Sequence, residues 1–474
     1  MNGNAEGLKE YRAFIKEFLL PIIGISYNNN LIPTNVKSDN SDEIRQEGDK
    51  VIFSAFGRDV AWISIPYSLP DDIIAVGKSI IGSFFRVSRY NISTNSSVKL
   101  DYQADDIYQA NIKLAIQKGI CDWCAGGNND QFHRLIHILE QWAVQTYEGK
   151  KVTFGFIFNP SIDLMSTNEY GTWLDFLSDD YAATLSDCIH SVIELDKNCN
   201  FSRYLSVTDG GIVSEYSLNS FLPYRFANVI QKYVKGDAVG VFLLNNGDIV
   251  LSKNQSVQFI KRNLKWLNMS YKVFKDIILA KFKRATVPED LLEQVYASTL
   301  DVSFSHTGGI ISVIRKLDHL IAVPKADEQV TKPTKALPIL NPCDNLLYKK
   351  PLDVISSKMD EVQKNAGMKP LRSEEKQKRL LKREIVDALV CGRKFIKIDR
   401  KLRADLIAMD GACILDTKGN ICAVGAIIQN DSGSSGGGRS AAAKKISNYG
   451  LAVKISTDGY IELFVEGEPV YAVK

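Results

Sequence analysis

The chain has 474 residues, 45% of them hydrophobic and 24% charged, with a formal net charge of +3. At about 150 residues per domain, that length fits two to four domains, each able to bury a core. The near-balanced charge excludes wrapping a nucleic-acid duplex through bulk charge, so nucleic acid is not an expected partner. No apolar run approaches the roughly 20 residues that span a bilayer. Met1 to Gly7 also lacks the basic and apolar regions of a secretory leader, so a soluble, cytosolic protein with no membrane partner is expected. Eight cysteines, mostly single, suit reduced thiols in that compartment.

Residues 1–165 are expected to form an N-terminal α/β accessory domain. Leu8 to Leu20 carries apolar residues at helical spacing, and Gln131 to Thr146 repeats the pattern. In the second helix Phe132, Leu135, Ile136 and Leu139 make the apolar face, with His133, His137 and Glu140 as its polar side. A zincin reading fails because Arg134 stands where that motif needs glutamate. Cys121-Asp122-Trp123-Cys124 lacks a second pair or nearby histidines, so it reads as coincidence before zinc. Lys151 to Phe158 alternates as a strand and is stopped by Asn159-Pro160.

Residues 170–280 are expected to form a second α/β accessory domain. Its strand candidates are Tyr204 to Val207, Gly211 to Tyr216 and Val239 to Leu244. The last turns at Asn246-Gly247 into Asp248 to Leu251, the strongest short hairpin signal in the chain. A helix is expected from Tyr224 to Tyr233. The basic cluster Lys261, Arg262 and Lys265 reads as a solvated face.

Residues 288–474 are expected to form the third domain, opening with a helix over Pro288 to Leu300 and a strand over Gly308 to Ile314. His306 just before that strand is a candidate site residue, though a capped loop residue would look the same. An insert at about 324–391 follows, proline-rich from Pro324 to Pro351 and then charged and helix-prone. Glu384 and Asp387 in it read as an exposed helical face before metal ligands.

The densest signals lie between Met409 and Phe464. A strand opens at Asp410-Gly411-Ala412, a second apolar run spans Ile421 to Ile428, and a last strand pair brackets Thr457-Asp458-Gly459. Between them, the loop Ser432 to Gly438 is almost pure glycine and serine and leads into a helix at Arg439-Ser440-Ala441. Glycine lets backbone N–H groups approach a ligand closely, and a helix start adds its positive dipole end. Arg439 can fork onto phosphate oxygens, with Lys444 and Lys445 as nearby point charges. A flexible surface hairpin would also satisfy the loop composition. Asp410 at the mouth of a buried strand suits Mg²⁺ or Mn²⁺, or the deprotonation of a ribose hydroxyl, while a solvated turn is the plainer alternative.

The order of Asp-Gly-Ala strand, glycine-rich loop, arginine with small residues and a Ser-x-Asp-Gly turn resembles the diadenylate cyclase domain. The likeness covers roughly the last two-fifths of the chain. It implies an α/β domain that condenses two ATP molecules into cyclic di-AMP, with Mg²⁺ or Mn²⁺, across a head-to-head pair of domains. The family's catalytic, metal-binding aspartate matches Asp410, and Asp458 is the candidate second carboxylate. The family's Arg-His-Arg follows Gly-Thr; the matching positions here read Gly438-Arg439-Ser440-Ala441, so the histidine and second arginine are replaced. Taken together, the residue chemistry and the resemblance assign Gly411, Ala412, Gly436, Gly437, Gly438, Arg439, Ser440, Lys444, Ser456 and His306 to the nucleotide, and Asp410, Arg439 and Ser440 to catalysis. The stretch from Phe221 to Trp266 resembles accessory regions that precede diverged domains of this kind in bacterial signalling and defence proteins. The expected function is therefore a nucleotidyltransferase making a cyclic or linear dinucleotide. A nucleotide-binding sensor without turnover, or a structural subunit with a vestigial fold, are the alternatives.

Overall fold

The computed structural model describes residues 5–25, 30–38, 43–94, 104–147, 149–164, 186–207, 226–281, 287–315, 385–428 and 437–473. They divide into two units, Met1–Asp276 and Ile277–Lys474. Both mix helices with sheets, as the α/β reading expects. Among the described residues no helix is long and apolar enough to cross a membrane.

In the first unit, α1 (Ala5–Phe14) runs through a π turn into α2 (Leu20–Ile22). Strands β1 (Ile32–Lys37), β2 (Ile44–Glu47), β3 (Lys50–Ala55) and β4 (Arg58–Ser64) then form an antiparallel sheet in the order β1-β4-β3-β2. Helices α3 (Asp71–Thr94) and α4 (Ala104–Cys124) touch closely at Gly119, where a Cβ would fall 2.5 Å from the Ile80 Cα. Cys121 and Cys124 are both buried in α4, and burial pushes their thiols up, that of Cys124 to about 12. Helix α5 (Asp130–Trp142) starts at Asn129, whose side chain accepts from the Phe132 N–H at 2.9 Å. It buries Phe132, Leu135, Ile136 and Leu139 and leaves Arg134 and His137 outside, the amphipathic face read from the sequence.

The rest of this unit is built on one larger sheet. A small hairpin, β5 (Thr146–Tyr147) and β6 (Lys150–Lys151), precedes β7 (Phe154–Phe158), β8 (Ser191–Leu195) and β9 (Phe201–Ser206). Helix α6 (Ala227–Tyr233) is followed by β10 (Val239–Leu243), β11 (Ile249–Lys253), β12 (Ser256–Arg262), β13 (Lys265–Asn268) and helix α7 (Tyr271–Lys281). The sheet order is β13-β12-β11-β10-β7-β8-β9, parallel only between β7 and β8. The hairpin expected at Asn246-Gly247 joins β10 to β11. Sequence alternation predicts one wet face for β7, yet every residue in it is buried. Phe132 and Trp142 of α5 pack on Phe158 and Phe154 from one side, while Gly155 lies against Cys188.

Two expectations change here. Because β7 pairs with both β8 and β10, a division between residues 165 and 170 would cut through a sheet instead of separating domains. The basic cluster is not a solvated face either, since only Lys265 is exposed. Arg262 is 1% exposed, and its Nε and Nη2 donate to Asp248 Oδ2 at 2.8 and 2.6 Å. Lys261 bonds Gln117 and Glu140. Charge counting along a sequence cannot reveal that β12 lies inside its sheet with both faces covered. Gly211 to Tyr216 lies outside the described residues.

In the second unit, α8 (Glu289–Ser305) passes through His306, a left-handed cap with φ of 54°, into β14 (Gly309–Ile314). Residues 316–384, with most of the insert and Glu384, lie outside the described residues; Asp387 is exposed on a short helical stretch. Helix α9 (Arg400–Ala408) leads to β15 (Ala412–Asp416) and β16 (Ile421–Ala426). Helix α10 (Gly437–Ser447), β17 (Gly450–Ile455), β18 (Ile461–Val465) and β19 (Glu468–Val473) complete the unit. The sheet order is β16-β15-β14-β17-β18-β19, and only β14 and β15 are parallel. On one face Ala443 and Ile446 of α10 pack with Ile310, Ile314, Ala412, Ile414 and Ala452. Gly309 abuts α9, where a Cβ would fall 2.3 Å from the Ile407 carbonyl oxygen. Arg400 and Asp301 pair through two contacts of 2.7 and 2.8 Å, pinning α9 to α8.

Strand β14 is central, wholly buried and separated from its partner β15 by almost a hundred residues of chain. A fragment starting at residue 385 lacks α8 and β14, so β15 and β17 each lose a pairing edge. It should be insoluble or molten in circular dichroism and calorimetry. A cooperative unfolding transition from that fragment would contradict this architecture.

Candidate functional site

The register of the second sheet decides which loops meet. Ile310 of β14 lies opposite Ala412 of β15, and Gly309 lies opposite Ile455 of β17. Ala412 in turn faces Ala426 of β16, and Ile455 faces Ile461 of β18. The starts of β14, β15 and β18 and the ends of β16 and β17 therefore gather at one end of the sheet. Asp410 and Gly411 lead into β15 there, His306-Thr307-Gly308 lead into β14, and Ser456-Thr457-Asp458 leave β17.

Arg439, in the first turn of α10, reaches the same end. A Cβ built on Gly308 would lie 2.7 Å from Arg439 Nη1 and 3.1 Å from the Thr457 backbone nitrogen. Gly308 has φ of +72°, a conformation that side chains rarely adopt, so glycine both sets the turn and leaves room for the guanidinium. The turn after β17 is closed on itself. Ser456 N–H donates to the Tyr460 carbonyl at 2.9 Å, and Ser456 Oγ accepts from Tyr460 N–H at 3.1 Å. Ser303 Oγ of α8 donates to the Gly459 carbonyl and ties that turn to the helix that carries His306.

The sequence-derived site residues divide by position. Asp410, Arg439 and Asp458 are exposed at this end, His306 is half-buried, and Ala412 is buried in β15. Gly437 and Gly438 open α10 in clear space, and Gly437 has φ of +80°. Gly436 and the loop before it lie outside the described residues. Lys444 sits in the last turn of α10, about 10 Å along the axis from Gly437, and is not brought to the helix start. Ser440 is engaged: it accepts from Lys454 Nζ at 2.7 Å and donates to Glu462 Oε2 at 3.3 Å.

Lys454 and Glu462 were not among the residues read from sequence. They face each other across β17 and β18, paired at 2.6 Å, with little of either side chain exposed. A signal was available. Both are charged residues inside apolar strands, at equal distance from Asp458 in the hairpin turn.

Among the described residues no group of three or more His, Cys, Asp or Glu side chains is gathered to hold a metal ion. Asp410 and Asp458 offer single carboxylates at the sheet end. That donor set fits Mg²⁺ or Mn²⁺ held by one or two carboxylates, with phosphate and water completing the shell, and does not fit an all-protein cage. The neighbouring cysteines are no nucleophiles, since burial pushes the thiols of Cys413 and Cys422 up to about 12. Within α9, burial, with Arg400 beside it, pulls the Arg403 guanidinium down to about 10, and Arg403 stacks on the Phe395 ring.

Comparison of the chain with protein-family models, curated proteins and solved structures returns no match.

The crowding at this end can be tested by glycine substitution. Gly411 and Gly437 both have positive φ, so alanine strains each by about 1–2 kcal/mol. At Gly411 the new Cβ would also fall 2.4 Å from the Gly425 carbonyl carbon, whereas nothing lies within 4 Å of the one at Gly437. Overpacking should add about 1–3 kcal/mol to the cost of Gly411→Ala alone. Urea unfolding should rank Gly411→Ala clearly below Gly437→Ala; equal midpoints would contradict the close approach of β15 and β16.

Proposed function

We propose that the second unit is a nucleotidyltransferase of the diadenylate-cyclase kind. In this reading it binds nucleoside triphosphates, ATP being the expected donor, and joins two of them into a cyclic or linear dinucleotide. The observation that carries the reading is that the Arg439 guanidinium and the Thr457 backbone nitrogen lie around Gly308, at the sheet end where Asp410 leads into β15. A carboxylate for a hydroxyl proton and a forked cation for phosphate oxygens are the two protein groups this reaction needs.

The ribose hydroxyl oxygen of one nucleotide attacks the α-phosphorus of another, its proton passes to Asp410, and the bond to the β-phosphate breaks to release pyrophosphate. Arg439 offsets the charge that spreads over the phosphate oxygens. Asp410, with Asp458 as the second carboxylate, would hold a Mg²⁺ or Mn²⁺ ion, which would neutralise charge on the triphosphate. Two copies of the unit meeting head to head would bring two nucleotides together, so a homo-oligomer through this unit belongs to the proposal. A dinucleotide product would suit a role in bacterial signalling or antiviral defence, with the first unit as the partner-facing half.

One observation favours a second reading, nucleotide sensing without turnover. Ser440, at the position where the resemblance expects histidine, is held by Lys454 and Glu462. Asp410→Asn separates the two readings because it keeps the shape and removes the charge. Dinucleotide formation with Mn²⁺, followed by chromatography, should fall by about 10²-fold or more, while metal-free nucleotide binding persists. Wild-type product yield from a variant of matched stability would contradict the role of Asp410. Binding by the wild-type protein with no product from any NTP or dNTP would favour the sensor.

A further inference from the structure

The polar cluster under the first turn of α10 has no part in the reaction as written above. Glu462, Lys454, Ile310, Ala412 and Ala426 lie side by side across β18, β17, β14, β15 and β16. The last three are buried apolar residues of the core beneath α10, so the row turns abruptly from apolar to charged at Lys454. Lys454 Nζ donates to Ser440 Oγ at 2.7 Å and to Glu462 Oε2 at 2.6 Å. An ammonium has three donors, so these two bonds leave one N–H uncommitted. The side chains of Lys454 and Glu462 are 16% and 12% exposed, so both groups are substantially dehydrated.

A pair of that kind is a poor device for stability alone, because apolar residues of similar volume commonly serve a dehydrated site as well or better. Its placement suggests another use. Ser440 follows Arg439 directly in α10, and the Arg439 guanidinium lies beside Gly308, two residues before the Ile310 that faces Lys454. Both cations therefore approach the same end of the sheet, Arg439 at Gly308 and Lys454 at the strand position opposite Ile310.

We propose that Lys454 is the second phosphate-binding cation of this site. Glu462 and Ser440 hold its ammonium in place, and its third donor contacts a phosphate distant from the one that Arg439 engages. The assignment rests on the nucleoside-triphosphate reading and deepens it. It makes the site selective for a polyphosphate over a monophosphate, since two cations that engage different phosphates favour a ligand that carries more than one. Glu462 is a positioning residue in this arrangement and touches no ligand.

Titration calorimetry of the full chain with ATP and with AMP tests the assignment. The variants are Lys454→Met, the double variant Lys454→Met/Glu462→Met and Arg439→Ala. Lys454→Met should weaken ATP binding about tenfold or more and leave AMP binding nearly unchanged. The double variant removes both members of the ion pair and should fold normally, yet it should bind ATP as weakly as the single variant. ATP affinity at the wild-type level in the double variant would overturn the assignment and make the trio a structural pair. If Arg439→Ala loses ATP binding while both Lys454 variants keep it, the triphosphate reading stands and the role of Lys454 falls. If the wild-type chain binds no ATP, both fall together.

Discussion

The second unit depends on one backbone constraint, the insertion of Gly309–Ile314 as a buried strand between β15 and β17. It pairs in parallel with β15 on one side and antiparallel with β17 on the other. That mixed pairing turns three sequence-distant loops to the same end of the sheet. With β14 removed, Asp410 and the turn after β17 would have no common frame, and Arg439 would have no Gly308 to lie against. Two glycines make the insertion sterically feasible, because Gly309 touches α9 backbone and Gly411 touches β16 backbone. The Arg400–Asp301 pair then fixes α9 on α8, which sets the starting points of the Asp410 and His306 loops relative to each other.

Charge is used differently at the two places where it is concentrated. In the first unit Arg262 and Asp248 satisfy one another deep in the sheet, and Lys261 joins α4 and α5 through Gln117 and Glu140. Removing either partner there would take a principal charge partner from a buried group, so these pairs specify packing. At the end of the second sheet Asp410, Arg439 and Asp458 are exposed. Groups left in solvent cost little to keep charged and remain available to a ligand. Lys454 and Glu462 stand between these cases, dehydrated yet next to the exposed arginine.

Much of the second unit was legible from residues. The strands at 309–314, 412–416, 421–426, 450–455 and 461–465 fall within a few residues of the apolar runs that announced them. Turn chemistry carried the boundaries, as with Asn246-Gly247 and Thr457-Asp458-Gly459. What escaped depended on tertiary contact. The burial of Lys261 and Arg262 follows from both faces of β12 being covered, which no local pattern encodes. The full burial of β7 has the same origin. Edge strand β19 opens with Glu468 and Pro469, which mask its apolar alternation. In the candidate site, the motif order named Asp410 and Arg439, and the sheet register and the start of α10 bring both to the same end of the sheet. The displacement of Lys444 to the far end of α10 follows from helix length, and the Ser440–Lys454–Glu462 contact needed the hairpin register.

The central claim is that a nucleoside triphosphate binds at this sheet end, and amide hydrogen exchange tests it most directly because it reports position. Addition of ATP with Mg²⁺ to the full chain should slow exchange in peptides covering 306–309, 437–441 and 456–460 together. Protection confined to residues 1–276, or none anywhere at saturating ATP, would contradict the account.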